Sequence, residues 1–237
     1  MSARPPAPGG AATIRERTEW VLDRIAEAER RAGRPHGAVK LVAVSKTQPL
    51  SRILEAHGAG LSVFGENYVQ EAAGKVPGLP GAEWHLIGKL QGNKVRRAVS
   101  LFAWIQTADS AKRLAEISRC AVDAGKIVPA LIEVNIAAEG GKAGASPEEL
   151  PPILAASARL PGVRVEGLMT VPPWSEDPEA TRPHFVRLRE LRDRLEREAG
   201  TALRELSMGM SNDFEAAIGE GATMVRVGTA IFGSRQG

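Results

Sequence analysis

The chain has 237 residues, 43% hydrophobic and 25% charged, which suits a sizeable globular core. Thirty-one basic against 28 acidic residues leave a formal charge of +3, far from the dense basic face that nucleic-acid binding demands. The single cysteine, Cys120, excludes an internal disulfide and any CxxC metal or redox motif, and no apolar run reaches the length of a membrane span.

The opening stretch, "MSARPPAPGG", has no apolar core of a signal peptide, and its Pro, Gly and Ala content reads as a disordered tail over residues 1–12. A reducing, cytoplasmic setting is expected. Thr13 and Glu16 then stand at capping-box spacing, with Ile14, Val21, Ile25, Ala28 and Ala32 at helical spacing before Gly33. β-prone runs follow at 39–45, 61–65, 83–88, 101–107, 128–136, 163–169, 203–208 and 223–228. Helical stretches lie between them. "SAKRLAEISRCAVDAG" carries Leu114, Ile117, Ala121 and Ala124 on one face, and Phe185, Leu188, Leu191 and Leu195 form a second stripe. Ser146-Pro147-x-Glu149 resembles a helix start, but Pro151 and Pro152 place the regular part near Pro151.

Eight alternations of strand and helix predict parallel strands joined by crossovers and closed into a single (β/α)8 TIM barrel over residues 13–237. Only about ten residues follow the last strand, so the N-terminal helix is expected to cover the gap that an eighth helix normally fills.

Barrel function collects where strands end. "LVAVSKTQP" runs an apolar strand directly into Lys46, the best nucleophile among the lysines because it alone closes a fully apolar run. An amine held in an apolar mouth loses proton affinity and can condense with a carbonyl. A lysine snorkelling to solvent is the plainer alternative. After the seventh strand, "LSMGMSNDFEAAI" offers Gly209 for close backbone approach and Ser211, Asn212 or Asp213 as caps for a helix beginning near Phe214. After the eighth, "VRVGTAIFG" offers the N–H groups of Gly228 and Thr229 and a hydroxyl, so the two loops together predict a phosphate cradle. An amine opposite such a cradle suits pyridoxal phosphate or a phosphosugar. Arg226, inside the last strand, favours the first: facing the pyridine nitrogen it would keep that nitrogen unprotonated and weaken the ring as an electron sink. A barrel-interior ion pair is the alternative for Arg226. His85 reads as a satisfied barrel histidine, and His36, His57 and His184 lack metal-ligand spacing.

In order, "AVSKTQP", "FGENYVQE", "WHLIGKLQGNK", "EVNIAAEGGKAG", "GLMTV", "LSMGMSNDFEAAI" and "VRVGTAIFG" resemble the YggS/PROSC family of pyridoxal phosphate homeostasis proteins over residues 14–235. The resemblance implies a fold-type III barrel similar to the N-terminal domain of bacterial alanine racemase. It implies that Lys46 holds pyridoxal 5′-phosphate (PLP) as a Schiff base, and that Asn67 lies near the ring oxygen or the lysine. It further implies that Ser207, Ser211, Gly228 and Thr229 contact the phosphate and that Arg226 faces the ring nitrogen. Lys89 stands where members often carry proline, and Asn212 where many have aspartate or glycine; Lys142 is a rim lysine able to receive or shuttle the cofactor.

Implied with these is a carrier in intracellular PLP homeostasis without strong turnover, since racemases of this fold type bring a tyrosine from an extra domain and this chain has only Tyr68. A weak racemase of the same fold and a sugar-phosphate aldolase are the alternatives. PLP itself and PLP-dependent apoenzymes are the expected partners, with no nucleic acid or membrane and a monomeric state.

Overall fold

The computed structural model describes residues 9, 11–140 and 143–233. Most of the tail expected at 1–12 lies outside them, and so does Lys142. Eight strands, β1 (Lys40–Val44), β2 (Val63–Glu66), β3 (Glu83–Leu86), β4 (Trp104–Ala108), β5 (Val128–Glu133), β6 (Val163–Met169), β7 (Glu205–Ser207) and β8 (Met224–Val227), pair in sequence order. All pairs are parallel, and β8 returns to β1 to close the barrel. Outside them run α1 (Ile14–Arg31), α2 (Leu50–Gly58), α3 (Val69–Lys75), α4 (Val95–Leu101), α5 (Ala111–Asp123), α6 (Leu150–Ser157), α7 (Arg182–Ala199), α8 (Phe214–Gly219) and α9 (Thr229–Phe232). Among the described residues no helix is long and apolar enough to cross a membrane.

Local chemistry sets the ends of these elements. The Thr13 hydroxyl accepts the Glu16 N–H at 3.2 Å while the Glu16 carboxylate accepts the Thr13 N–H at 2.8 Å, so α1 opens on a reciprocal cap. Pro151 and Pro152 fall in the first turn of α6, where no intrahelical donor is needed. The run at 101–107 divides differently from expectation: Leu101 closes α4 and β4 begins at Trp104. A continuous apolar run carries no period with which to separate a helix end from a strand start.

Strand alternation sorts side chains into two layers. Facing outward, Phe64, Leu86, Ile105, Ile132, Leu168 and Val225 meet helix residues such as Ile53, Leu114, Ile117 and Leu188 in the main core. Each such fully buried side chain contributes roughly 1.5–3 kcal/mol. Facing inward, Leu131, Met169 and Met224 form a small cluster with Trp104 against it. The N-terminal helix does cover the expected gap. Because α9 spans only four residues, α1 packs on α2, α8 and α9, and the buried Arg24 of α1 pairs with Glu215 of α8.

Ala130 faces Val165 and Leu131 faces Gly167, so β6 carries Glu166 as one extra residue. Beside that bulge β6 lies close against β7: a Cβ on Gly167 would stand 1.8 Å from the carbonyl oxygen of Glu205. Gly167→Ala is expected to cost about 3 kcal/mol or more through backbone displacement. Chemical denaturation should show a lower midpoint with an unchanged slope.

Candidate functional site

After β1 the Ser45 N–H still donates to Gly65 O of β2 at 3.0 Å, and the Gln48 N–H donates back to Ser45 O at 3.0 Å. Lys46 and Thr47 therefore form the tip of a tight turn, and Thr47 sits at φ 64°, unusual for a β-branched residue. Lys46 is half-buried and faces a cavity of about 460 Å³ at the C-terminal mouth of the barrel. Of the residues expected in the site, Lys46, Asn67, Ser211, Arg226, Gly228 and Thr229 all line it. Asn67 reaches this wall because residue 88 is glycine: a Cβ there would meet the Asn67 carbonyl oxygen at 2.3 Å.

Ser207 departs from expectation. It is fully buried and does not line the cavity; its hydroxyl donates to Gln106 Oε1 at 2.7 Å and accepts from Arg226 Nη1 at 2.6 Å. It holds the guanidinium rather than an anion. Arg226 also donates through Nη2 to Thr170 O at 2.7 Å and is 4% exposed. Burial lowers its pKa to about 10 despite the fields of Glu133 and Asp213, so it remains charged at neutral pH.

The contacts continue down the barrel axis. Gln106 Nε2 stands 2.7 Å from His85 Nδ1, and His85 Nε2 stands 2.7 Å from Glu83 Oε1, which also accepts from Lys40 Nζ at 2.8 Å. Because Gln106 Oε1 already accepts from Ser207, its amide NH₂ must donate to Nδ1, which assigns the imidazole proton to Nε2. His85 is stacked on Trp104 at 5.6 Å, and burial lowers its pKa. It is the satisfied barrel histidine the sequence suggests. The hydrogen bond from His85, with Lys40 beside it, holds Glu83 at about 2.

At the rim, the Ser211 hydroxyl accepts from the N–H groups of Gly228 (3.1 Å) and Ala230 (3.3 Å). No side chain caps α8, contrary to expectation for Ser211, Asn212 or Asp213. Asp213 instead accepts the Met210 N–H at 2.6 Å, closing its own loop. The Asn212 amide donates to Ser175 O at 2.8 Å and ties this loop to the one after β6. A carboxylate at position 212 could not donate that bond. Sequence reading missed the segment after β6, where Val171 and the 71%-exposed Trp174 complete the cavity wall. Its signals are the last residues of "GLMTV" and the "PPW" that follows, neither of which names a site residue. Lys89 is exposed and lines adjoining cavities instead, one with Tyr68 and Lys94 and one with Glu133.

An amine thus stands on one side of the cavity, backbone N–H groups and hydroxyls on the other, and a buried guanidinium in its wall. This donor set fits a ligand with a carbonyl at one end and an anion at the other, and 460 Å³ is ample for a small cofactor. The family described as alanine racemase, N-terminal domain, matches residues 20–236. A pyridoxal phosphate homeostasis protein of Aquifex aeolicus is 47% identical over 93% of this chain and 98% of its own. The one from Pseudomonas aeruginosa is 44% identical over 94% and 96%. The chain belongs to the pyridoxal phosphate homeostasis protein family. Among solved structures, PipY of Synechococcus elongatus with PLP bound matches with a TM-score of 0.78 and 38% identity, covering 90% of this chain and all of that one. An alanine racemase of Clostridium difficile shares the fold at 14% identity and a TM-score of 0.72, with this chain covering 60% of it. Family membership and fold together bear out the barrel reading.

Glu83 carries a pKa below its ordinary 4.5, so its interactions add stability above that value and lose it as pH falls toward about 2. Glu83→Gln is expected to lower stability at neutral pH. The difference from the parent protein, measured by urea denaturation across pH, should narrow as pH drops from about 5 to about 2.

Proposed function

We propose that this cavity holds PLP, with Lys46 as its covalent partner, and that the protein keeps and hands on the cofactor rather than turning over a substrate. The single observation that carries the reading is one cavity walled by Lys46, Arg226, Ser211, Gly228 and Thr229, in a chain 38% identical to a relative whose structure has PLP bound. The group supplies an aldehyde that condenses reversibly with an amine. The chain's residues supply the rest. Lys46 provides the amine, half-shielded from water. Ser211, Gly228 and Thr229 meet the phosphate, the Ser211 hydroxyl releasing N–H groups that it accepts from otherwise. Arg226 faces the ring nitrogen as a donor that stays charged, and Asn67 flanks the lysine.

What the cavity lacks supports the carrier over the enzyme. Among the described residues its ionisable lining is Lys46, Arg226 and Asp213. Arg226 is no acid at neutral pH, and the Asp213 carboxylate is occupied by the Met210 N–H. Tyr68 is 61% exposed and lines a neighbouring cavity. Proton transfer on two faces of a substrate needs two opposed groups, and neither a permanently charged Arg226 nor a loop-closing Asp213 is a ready counterpart to Lys46. On the same reading the protein acts in the cytoplasm as a monomer, with PLP-dependent apoenzymes as receivers.

Purified protein mixed with PLP should turn yellow, lose the colour on borohydride reduction, and carry the added mass on Lys46. Lys46→Ala should lose the coloured species while its far-UV spectrum stays parental; colour retained in that variant would defeat the assignment. Holo protein incubated with L-amino acids in deuterated buffer is expected to show no Cα exchange above free PLP. Rapid exchange or D-isomer would establish an enzyme instead.

A further inference from the structure

Lys46 sits between two residues that one buried ion network holds. Lys75, the last residue of α3, is 7% exposed, and its ammonium donates to Ser45 O (2.8 Å), Glu66 Oε1 (2.8 Å) and Glu71 Oε1 (2.6 Å). An ammonium has one proton for each of these oxygens and none to spare. The Ser45 hydroxyl donates to the same Glu66 oxygen at 2.5 Å, and the Thr47 N–H donates to the same Glu71 oxygen at 2.5 Å. The network grips the residue before Lys46 and the residue after it.

Two features set it apart from ordinary packing. Glu66 is fully buried, and its Oε2 has no hydrogen-bond partner among the described residues. Burial raises its pKa against the pull of Lys75. Buried charges of this kind are often replaced by apolar side chains with no loss of stability, so stability alone is a weak reason to have them. The second feature is Thr47, whose φ of 64° a β-branched residue holds only when its surroundings impose it. The hydrogen bond to Glu71 is the constraint that meets that strained peptide.

We propose that Lys75, Glu66 and Glu71 are positioning residues for Lys46, holding the Ser45–Thr47 turn in its left-handed form so that the Lys46 amine faces the cavity. The inference rests on Lys46 being the cofactor's point of attachment.

Glu71 tests it best, because its side chain is 25% exposed and the variants should fold. Two quantities are read. One is hydrogen exchange of the Thr47 amide in cofactor-free protein; the other is the rate at which PLP is captured on Lys46, trapped by borohydride and mapped by mass. Glu71→Ala should speed the exchange and slow the capture, each by about tenfold, the scale of one strained backbone position. Glu71→Gln, which keeps an acceptor oxygen, should stay near the parent. Adding Thr47→Gly to Glu71→Ala should restore capture to within about threefold, because glycine enters the left-handed region without strain. Parental capture in Glu71→Ala overturns the proposal, and so does a double variant as slow as Glu71→Ala. A cofactor mapped to another lysine in the parent protein would instead overturn the reading of Lys46, before any variant is compared.

Discussion

A guanidinium at 4% exposure is tolerated only if its protons find oxygens, and Arg226 places them on the Ser207 hydroxyl and the Thr170 carbonyl. These bonds lie at the shortest seam of the barrel. β7 has three residues and meets β8 in register only at Ser207 and Met224, so the ladder there is brief. From β8, the Arg226 side chain bridges to β7 and to Thr170, the residue just after β6. One side chain therefore fastens three strands where backbone pairing is thinnest, and presents a fixed positive charge to the cavity. Ser207, Gln106 and His85 extend the arrangement, each committed in direction by its neighbour, down to Glu83 and Lys40. The barrel interior is thus a polar column with a thin apolar cluster beside it, which explains why so much polar chemistry is buried in an otherwise ordinary core.

The two sides of the mouth are secured separately. On one side, the loops after β6, β7 and β8 hold each other through Asn212 to Ser175 and through Ser211 to the start of α9. On the other, the turn after β1 is held by Lys75, Glu66 and Glu71 and does not touch those loops through any of these bonds. The hydrogen bonds that shape the anion side and those that hold the Lys46 turn are therefore separate sets. On the proposed function, such a separation would let a ligand loosen at one end before it leaves at the other.

Barrel topology was legible because strand runs and helix stripes alternate with distinct periods, and Lys46 stood out because an apolar strand ends in it. The phosphate-side loops were legible as loops, but not in their bonding. Ser207 closes β7, and a strand end reveals nothing about which face a side chain takes; the alternation of a three-residue strand is too short to phase. Ser211 was recognised as a polar group near a helix start, yet it serves the helix after β8 and not the one after its own loop. That partnership joins residues on different βα units and has no local signature. Lys75 and Glu71 stand four apart on α3, and nothing local in the sequence distinguishes them from solvated helix charges. Only their placement under the turn at Lys46 gives them meaning, and placement belongs to tertiary structure.

The same column that stabilises the barrel argues about chemistry at its mouth. Deep carbanion chemistry on a pyridine ring is favoured by a protonated nitrogen, which a partner carboxylate secures and a guanidinium opposes. Arg226 is not easily converted to a neutral partner: although burial lowers its pKa to about 10, it remains a cation at neutral pH. Substituting a carboxylate there would break bonds to Ser207 and Thr170 and introduce a negative charge near Glu133 and Asp213, both already pushed up by burial. On the proposed placement of Arg226 against the ring nitrogen, stability of the β6–β7–β8 seam and weakness as an electron sink would both follow from one residue. A site built this way is suited to condensation with an amine and to its reversal, which are the two steps that storing and releasing an aldehyde cofactor requires.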